Sequence, residues 1–449
     1  MLFKRKFYNE MLEWKNTSCG SSALMIDGAR RIGKSTIAEE FAKNEYDDYL
    51  LIDFITAPKE IKENFDNINN LDVFFRNLFL FTGKELTSRN SVIIFDEVQK
   101  FPKAREAIKY LVKDGRYSYI ETGSLISIKK RSQDIVIPSE EDRRRMYPMD
   151  FEEFLWASGD TVTVPYIRDC FEKRMPVGDK LHRKIMTSFR TYLAVGGMPQ
   201  SVSAFVNGKT YRQIDAVKRN ILALYEEDLK KYDDENTEKA SAIFKTIPEQ
   251  LSNHNSRFRF SKIDKNARYK NYLYSVRCID ESMIGNYCRN VTNPEVTLDL
   301  FSESNNFKLY LSDTGLLVTQ ILMTSDIADD ELYRKIISGH SGTNIGMIFE
   351  NMVAQMLRCR GYELFFHEFL YTPAGQKKEQ KYEIDFLLVK GGHICPIEVK
   401  SSGYRNHESF DYFVKKYQMK QHERFIIYKN DLHQEADITF IPIYMTICL

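Results

Sequence analysis

The sequence predicts an α/β chain of several domains, and three observations carry that prediction. A buried strand runs into a glycine-rich loop and then a helix between Ala23 and Lys43. A second strand, Val92 to Phe95, is wholly apolar and ends in two carboxylates, Asp96 and Glu97. Far downstream, two strands meet at Gly391-Gly392 and carry acidic residues. Apolar runs that alternate with amphipathic helical patterns belong to sheets covered by helices.

With 449 residues the chain has room for two to four domains. The pattern predicts a three-layer P-loop domain with an N-terminal helix over 1–158 and a helical lid or linker over 159–235. A basic winged-helix-like module over 236–300 and an α/β domain over 301–449 follow. Lysine plus arginine number 64 against 63 acids, so net charge is +1. Such a balance gives no global signal for nucleic acid or membrane, and any basic surface must be local. Seven scattered cysteines without CxxC spacing point to reduced thiols in a cytoplasmic protein. No apolar run approaches the ~18 residues of a membrane span, and the charged start, Met1 to Tyr8, does not read as a signal peptide. Phe3, Phe7, Met11 and Trp14 recur at helical spacing and predict a helix docked on the first domain.

The first motif is Gly28-Ala29-Arg30-Arg31-Ile32-Gly33-Lys34-Ser35-Thr36. Its glycines allow the tight turn that aims successive backbone N–H groups at phosphates, and the following helix adds its positive end. Lys34 would reach the terminal phosphates and the Ser35 hydroxyl would ligate Mg²⁺. Strand ends of a parallel sheet bring Asp96 and Glu97 beside this loop. Asp96 would hold the magnesium hydration shell, and Glu97 would orient and deprotonate the attacking water. A third strand, Tyr117 to Glu121, ends in Thr122-Gly123-Ser124. Thr122 or Ser124 would then touch the γ-phosphate or the lytic water, the alternative being an ordinary strand-end turn. Arg116 or one of Arg143, Arg144 and Arg145 is a candidate cation for the developing charge, with a solvated loop as the alternative for the triplet.

From 241 to 290 nine basic side chains face four acidic ones, with Phe258, Tyr269, Tyr272 and Tyr274 interleaved. A helix, a turn and a second helix over Lys270 to Asp280 suggest a winged helix whose second helix enters a major groove; an acidic protein surface is the alternative partner. In the last domain, Glu383 and Asp385 lie on one strand, Glu398 and Lys400 on the next. Pairing outward from the Gly391-Gly392 turn sets Asp385 opposite Glu398 and Glu383 opposite Lys400, unless Pro396 inserts a bulge. Opposed carboxylates repel and call for a metal or a cation. Glu350 falls in the apolar stripe of a helix expected over Asn344 to Arg358, with the same metal or Lys400 as its partner. A helical Glu, a strand Asp and Glu-x-Lys on the next strand form the arrangement of a restriction-endonuclease-like fold. Glu350, Asp385 and Glu398 would bind Mg²⁺ and Lys400 would stabilise charge on a phosphate. An inactive, salt-bridged version of the site is the alternative.

These motifs together resemble bacterial and archaeal AAA-superfamily ATPases that carry a C-terminal domain of unknown function. The resemblance rests on the phosphate loop, Phe95-Asp-Glu-Val-Gln99, Thr122-Gly-Ser124, Tyr147-Pro-Met-Asp-Phe-Glu-Glu-Phe154, Gly196-Gly-Met-Pro199, Lys308-Leu-Tyr-Leu-Ser-Asp-Thr-Gly315 and Pro396-Ile-Glu-Val-Lys-Ser401. It implies an ATPase core using ATP and Mg²⁺, a winged-helix middle and a nuclease-like end. Glu121 departs from the apolar residue expected at the end of a buried strand. Two functions follow as expectations. One is an ATPase whose nucleotide state gates a DNA-acting nuclease; the other is a switch that exposes a protein-binding surface without cleavage.

Overall fold

The computed structural model describes residues 2–123, 138–232, 238–252, 257–324, 330–338, 345–401, 403, 407–418 and 423–449. Ser124 and Asn344, both named above, lie outside them. The chain divides into two compact units. Residues 1–147 with 281–283 form the first, and 148–280 with 284–449 the second.

The first unit is built on five parallel strands: β1 (Ala23–Asp27), β2 (Asp48–Asp53), β3 (Ser91–Asp96), β4 (Ser118–Gly123) and β5 (Glu141–Arg145), in the order β2-β3-β4-β1-β5. β1 and β3 are buried at every position, as the unbroken apolar runs predict. The helices Leu71–Thr82 and Pro102–Asp114 cover one face with a phenylalanine-rich core that includes Phe65, Phe74, Phe75 and Phe95. The Arg143 to Arg145 triplet is an edge strand and not a solvated loop, and its register places Arg145 beside Asp27. α1 (Phe7–Ser18) buries Phe7, Met11 and Trp14 of the four residues read at helical spacing, while Phe3 lies before the helix and is half-buried.

The second unit begins with helices, among them Phe151–Ala157, Asp179–Val195 and Tyr211–Tyr232. A capping box between Asp150 and Glu153 starts the first of these, so the predicted boundary at 158 lies past the end of a helix that already belongs here. The strands β6 (Gly285–Val291), β7 (Ser302–Leu311), β8 (Leu364–Tyr371), β9 (Gln380–Lys390), β10 (His393–Val399), β11 (Phe425–Tyr428), β12 (His433–Glu435) and β13 (Ile438–Pro442) make one mixed sheet, ordered β12-β13-β11-β10-β9-β8-β6-β7. The expected winged-helix module is therefore not separate. β6 pairs antiparallel with β7 and parallel with β8, and the expected boundary at 300 falls inside this sheet. The Gly196-Gly197 turn meets the Asp313 to Gly315 segment. Gly197 N–H donates to Asp313 Oδ2 at 2.6 Å, and a Cβ on Gly315 would lie 2.4 Å from Gly196 Cα. Two of the distant sequence signatures thus form one packed joint.

Candidate functional site

In the first unit β1 delivers the chain to a loop whose shape demands its glycines. A Cβ on Gly28 would lie 2.4 Å from Ile32 Cδ1 and 2.5 Å from the Met146 carbonyl oxygen. Gly33 has φ 95°, and Arg31 takes the left-handed region at φ 70°, a conformation that strains a non-glycine residue. α2 (Lys34–Glu45) starts immediately after. The loop closes around the buried Lys34 ammonium, which donates to the carbonyls of Gly28 (2.9 Å) and Ala29 (3.0 Å). Burial lowers the Lys34 pKa, while Glu97, Asp27 and Asp96 oppose that shift. Asp27, behind it, is pushed upward by burial against the pull of Lys34 and Arg143. Ala29 and Ile32 are buried in the loop, and Arg30, Arg31 and Thr36 are exposed.

The Ser35 hydroxyl donates to Asp96 Oδ1 at 2.7 Å. Thr122 donates its hydroxyl to the same oxygen and accepts the Glu97 N–H at 3.2 Å. A single connected set therefore holds Ser35, Asp96, Glu97 and Thr122 together, with Lys34 adjacent through its loop. A hydroxyl and a carboxylate are hard oxygen donors of the kind magnesium takes, so this set fits the metal. Glu121, the residue out of pattern, is fully buried beside Thr122. Burial and Glu141 push its carboxyl well above the usual range, while Arg105 opposes them. Arg116 is engaged by Asp72 and Asp114, and Arg144 by Glu13 and Asp142.

Two neighbours escaped the sequence reading. Gln99 donates its side-chain amide to Glu97 Oε2. Arg5 donates to the loop carbonyl of Ile32 at 2.9 Å and to Tyr147 O at 2.6 Å. Neither contact leaves a periodic signal. Only the polar residue closing Asp-Glu-Val-Gln pointed to the first.

In the second unit a cavity of about 440 Å³ is lined by Glu350, Glu383, Asp385, Glu398 and Lys400, among others. The predicted hairpin register holds from Lys390–His393 to Phe386–Ile397, and Pro396 pairs with Leu387 without a bulge. Asp385 Oδ2 then accepts the Val399 N–H at 2.7 Å. Two pairings differ from expectation. Glu383 stands opposite Glu368 on β8, and its carboxylate takes Lys308 at 2.5 Å and not Lys400. Glu350, on the helix Ile345–Cys359, also receives Lys308, at 2.8 Å, together with the Tyr310 hydroxyl. Lys400 instead meets Glu398 at 2.5 Å.

The missed residue is Lys308. Lys308 and Tyr310 share one face of β7 and alternate with Leu309 and Leu311, a pattern that gives no sign of the burial of both faces from Phe307 to Leu311. Burial alone would lower the Lys308 pKa, but Glu350, Glu383 and Asp385 outweigh it and hold it well above the ordinary lysine value. Asp385 is pushed well up by burial and by Glu350, and Glu398 upward by burial against Lys400. Among the described residues no group of three or more His, Cys, Asp or Glu side chains stands arranged to hold a metal. A preformed set of Glu350, Asp385 and Glu398 ligands is thus not present, because Lys308 already supplies the countercharge at Glu350. No helix among the described residues is long and apolar enough to cross a membrane.

Residues 20–155 match the AAA domain family. This chain carries an AAA-type P-loop domain. A match to this family implies ATPase activity for residues 20–155. Beyond it, residues 186–327 match one domain of unknown function (DUF8612) and residues 345–446 a second (DUF4143). No curated protein matches the sequence. Among solved structures, the Walker-type ATPase of Pyrococcus abyssi is 17% identical, aligning over 71% of this chain and 96% of its own at a TM-score of 0.43. The RuvB Holliday junction branch migration motor of Thermotoga maritima is 12% identical over 65% and 90%, at 0.29. A STAND signal-transduction ATPase with a tetratricopeptide repeat sensor from Pyrococcus horikoshii is 12% identical over 80% and 45%, at 0.24.

Proposed function

We propose that this AAA-domain chain hydrolyses Mg-ATP and that its nucleotide state controls a nuclease-like C-terminal domain acting on DNA. The contact from Ser35 to Asp96, shared with Thr122 and leading to Glu97, is the observation that carries the hydrolytic part. Lys34 exchanges its loop carbonyls for phosphate oxygens, and the loop N–H groups cradle the phosphates. Ser35 and Asp96 would hold a magnesium ion, which would supply neutralisation of phosphate charge. Glu97 receives the proton of the attacking water, and Thr122 keeps the two acids in register.

DNA as the target draws on the basic tract. Lys245, Lys262 and Arg289 are paired with Glu226, Glu249 and Asp299. Arg257, Arg259, Lys265, Arg268, Lys270 and Arg277 are exposed and have no ion pair among the described residues. Cations without countercharge are what a phosphate backbone requires. The convergence of Glu350, Asp385, Glu398 and Lys400 on one cavity supports the nuclease-like reading of the last domain.

A second reading, an ATP-driven switch that engages a protein partner, draws on Lys308. A lysine already neutralising Glu350 and Glu383 leaves less need for a metal there.

ATP turnover tests the first part: Lys34→Ala is expected to abolish it, and Glu97→Gln to leave ATP bound but uncleaved. Full turnover by a folded Lys34→Ala preparation removes the assignment. Plasmid and single-stranded DNA incubated with Mg²⁺ or Mn²⁺ separate the two readings. Cleavage by wild type and by neither Asp385→Ala nor Lys400→Ala supports the nuclease, and identical behaviour of all three supports the switch.

A further inference from the structure

Glu97 sits in the left-handed region at φ 56° and ψ 46°, directly after the last residue of β3. A carboxylate-bearing residue adopts that conformation at a cost, so its surroundings must hold it there. Three restraints do so. Its N–H is taken by Thr122 Oγ1, its carbonyl by Lys100 N–H at 2.9 Å, and its carboxylate by the Gln99 amide. The first two fix the backbone. The third acts on the side chain whose direction the chemistry needs.

Gln99 is itself held by a gap in the sheet. It is buried, and Gly123 lies beside it at the end of β4, in register with Asp27 at the mouth of the phosphate loop. A Cβ on Gly123 would stand 2.8 Å from Gln99 Oε1, with Met25 Cε at 3.1 Å and a Val98 methyl at 3.3 Å. Real Cβ contacts do not come that close to an oxygen, so any larger residue at 123 must push the carboxamide away. Gly123 is not in the left-handed region, so a side chain here would act through its approach to the Gln99 carboxamide and not through backbone strain.

We propose that Gln99, seated in the space left by Gly123, is a positioning residue that aims the Glu97 carboxylate at the phosphate site. The proposal rests on the reading of Glu97 as the group that receives the water proton. Gln99 touches no substrate. It limits the directions the Glu97 side chain can take, and misplacing a reacting group by about 1 Å costs up to ~100-fold in rate.

The test uses the full chain and steady-state ATPase kinetics, with the affinity for a non-hydrolysable ATP analogue measured beside them. Gln99→Ala and Gly123→Ala are each expected to lower kcat by about 10- to 100-fold. KM for ATP and analogue affinity should stay within about twofold, because the phosphate loop is untouched. Gln99→Glu keeps the shape of the side chain and removes the donated hydrogen bond, so it should reproduce the loss without a packing change. The double variant Gln99→Ala/Gly123→Ala should be no slower than the slower single variant, since both substitutions break one contact. Wild-type kcat in Gln99→Ala and Gln99→Glu overturns the proposal, as do losses that multiply in the double variant. Glu97→Gln separates the levels. If it retains turnover, the reading of Glu97 fails and the proposal with it. If it is inactive while the Gln99 variants run at wild-type rate, the positioning role alone fails.

Discussion

Replacing Lys308 with methionine should turn the acidic cavity of the second unit into a metal-dependent stability element. The side chain is 8% exposed and lies 2.8 Å from Glu350 Oε1 and 2.5 Å from Glu383 Oε1. Methionine keeps most of the packing and removes the charge, leaving two partly buried carboxylates with the Tyr310 hydroxyl and no cation between them. Breaking a buried ion pair from one side costs roughly 3–5 kcal/mol. Protonating one carboxyl caps the loss. Lifting a group of ordinary pKa near ~4.3 to stay neutral at pH 7 costs about 3.7 kcal/mol. Both routes lead to the same range, which lowers Tm by something of the order of 10 °C.

The sign of the pH dependence follows from the second route. In the variant the folded state holds a proton that the unfolded state releases above pH ~4.3, so stability falls as pH rises. The deficit should shrink to about 1 kcal/mol at pH 5. Calcium or manganese supplies the missing charge and should restore Tm in the variant far more than in wild type. Thermal melts in EDTA and in millimolar divalent ion, at pH 5 and pH 8, read all of this. A variant that melts like wild type in EDTA at pH 8 refutes Lys308 as the countercharge of the cavity.

Three other substitutions test separate parts of the chain. Arg5→Ala removes two hydrogen bonds that brace the phosphate loop and the segment after β5; it should weaken ATP analogue binding about tenfold, and a change under twofold contradicts the brace. Arg105 and Glu141 form a bidentate pair at 2.8 Å, both side chains 2% exposed. Arg105→Met should cost about 3–5 kcal/mol in urea melts, and adding Glu141→Met should recover most of it. Lys218 is fully buried on Ala194 O, Gly315 O and the Tyr333 hydroxyl, and burial lowers its pKa to about 7 against the pull of Asp215 and Asp313. The unfolded chain then binds one more proton between pH 7 and ~10.4, so this residue makes stability rise with pH by about 1.4 kcal/mol per unit, and Lys218→Met should flatten that slope.

Local chemistry was legible in the sequence where one segment carries it whole. The phosphate loop, the strand ending in Asp96-Glu97 and the tight hairpin at Gly391-Gly392 each need only neighbours in the chain to set their geometry. What escaped depends on partners far away. Lys308 reaches Glu350 and Glu383 across 42 and 75 residues, and Arg5 reaches Tyr147 across 142. That the strands of the expected winged-helix module join the larger sheet escaped for a related reason. Two helices followed by two strands fit such a module, but the pairing of β6 with β8 is a long-range event that no local period announces. Glu121 looked anomalous because burial and Glu141 raise its carboxyl well above the usual range, and the cation that opposes them, Arg105, comes from a helix and is paired with Glu141.

The position of β6 between β7 and β8 also decides how this molecule can be cut. A recombinant fragment opened at residue 301 would part β7 from the strand it pairs with and leave one side of β8 bare. Unpaired N–H and C=O groups in such a row recruit other chains, so the predicted outcome is insoluble material. A truncation placed before the helix Leu273–Glu281 retains both neighbours of β6 and gives the carboxy-terminal sheet its intact border.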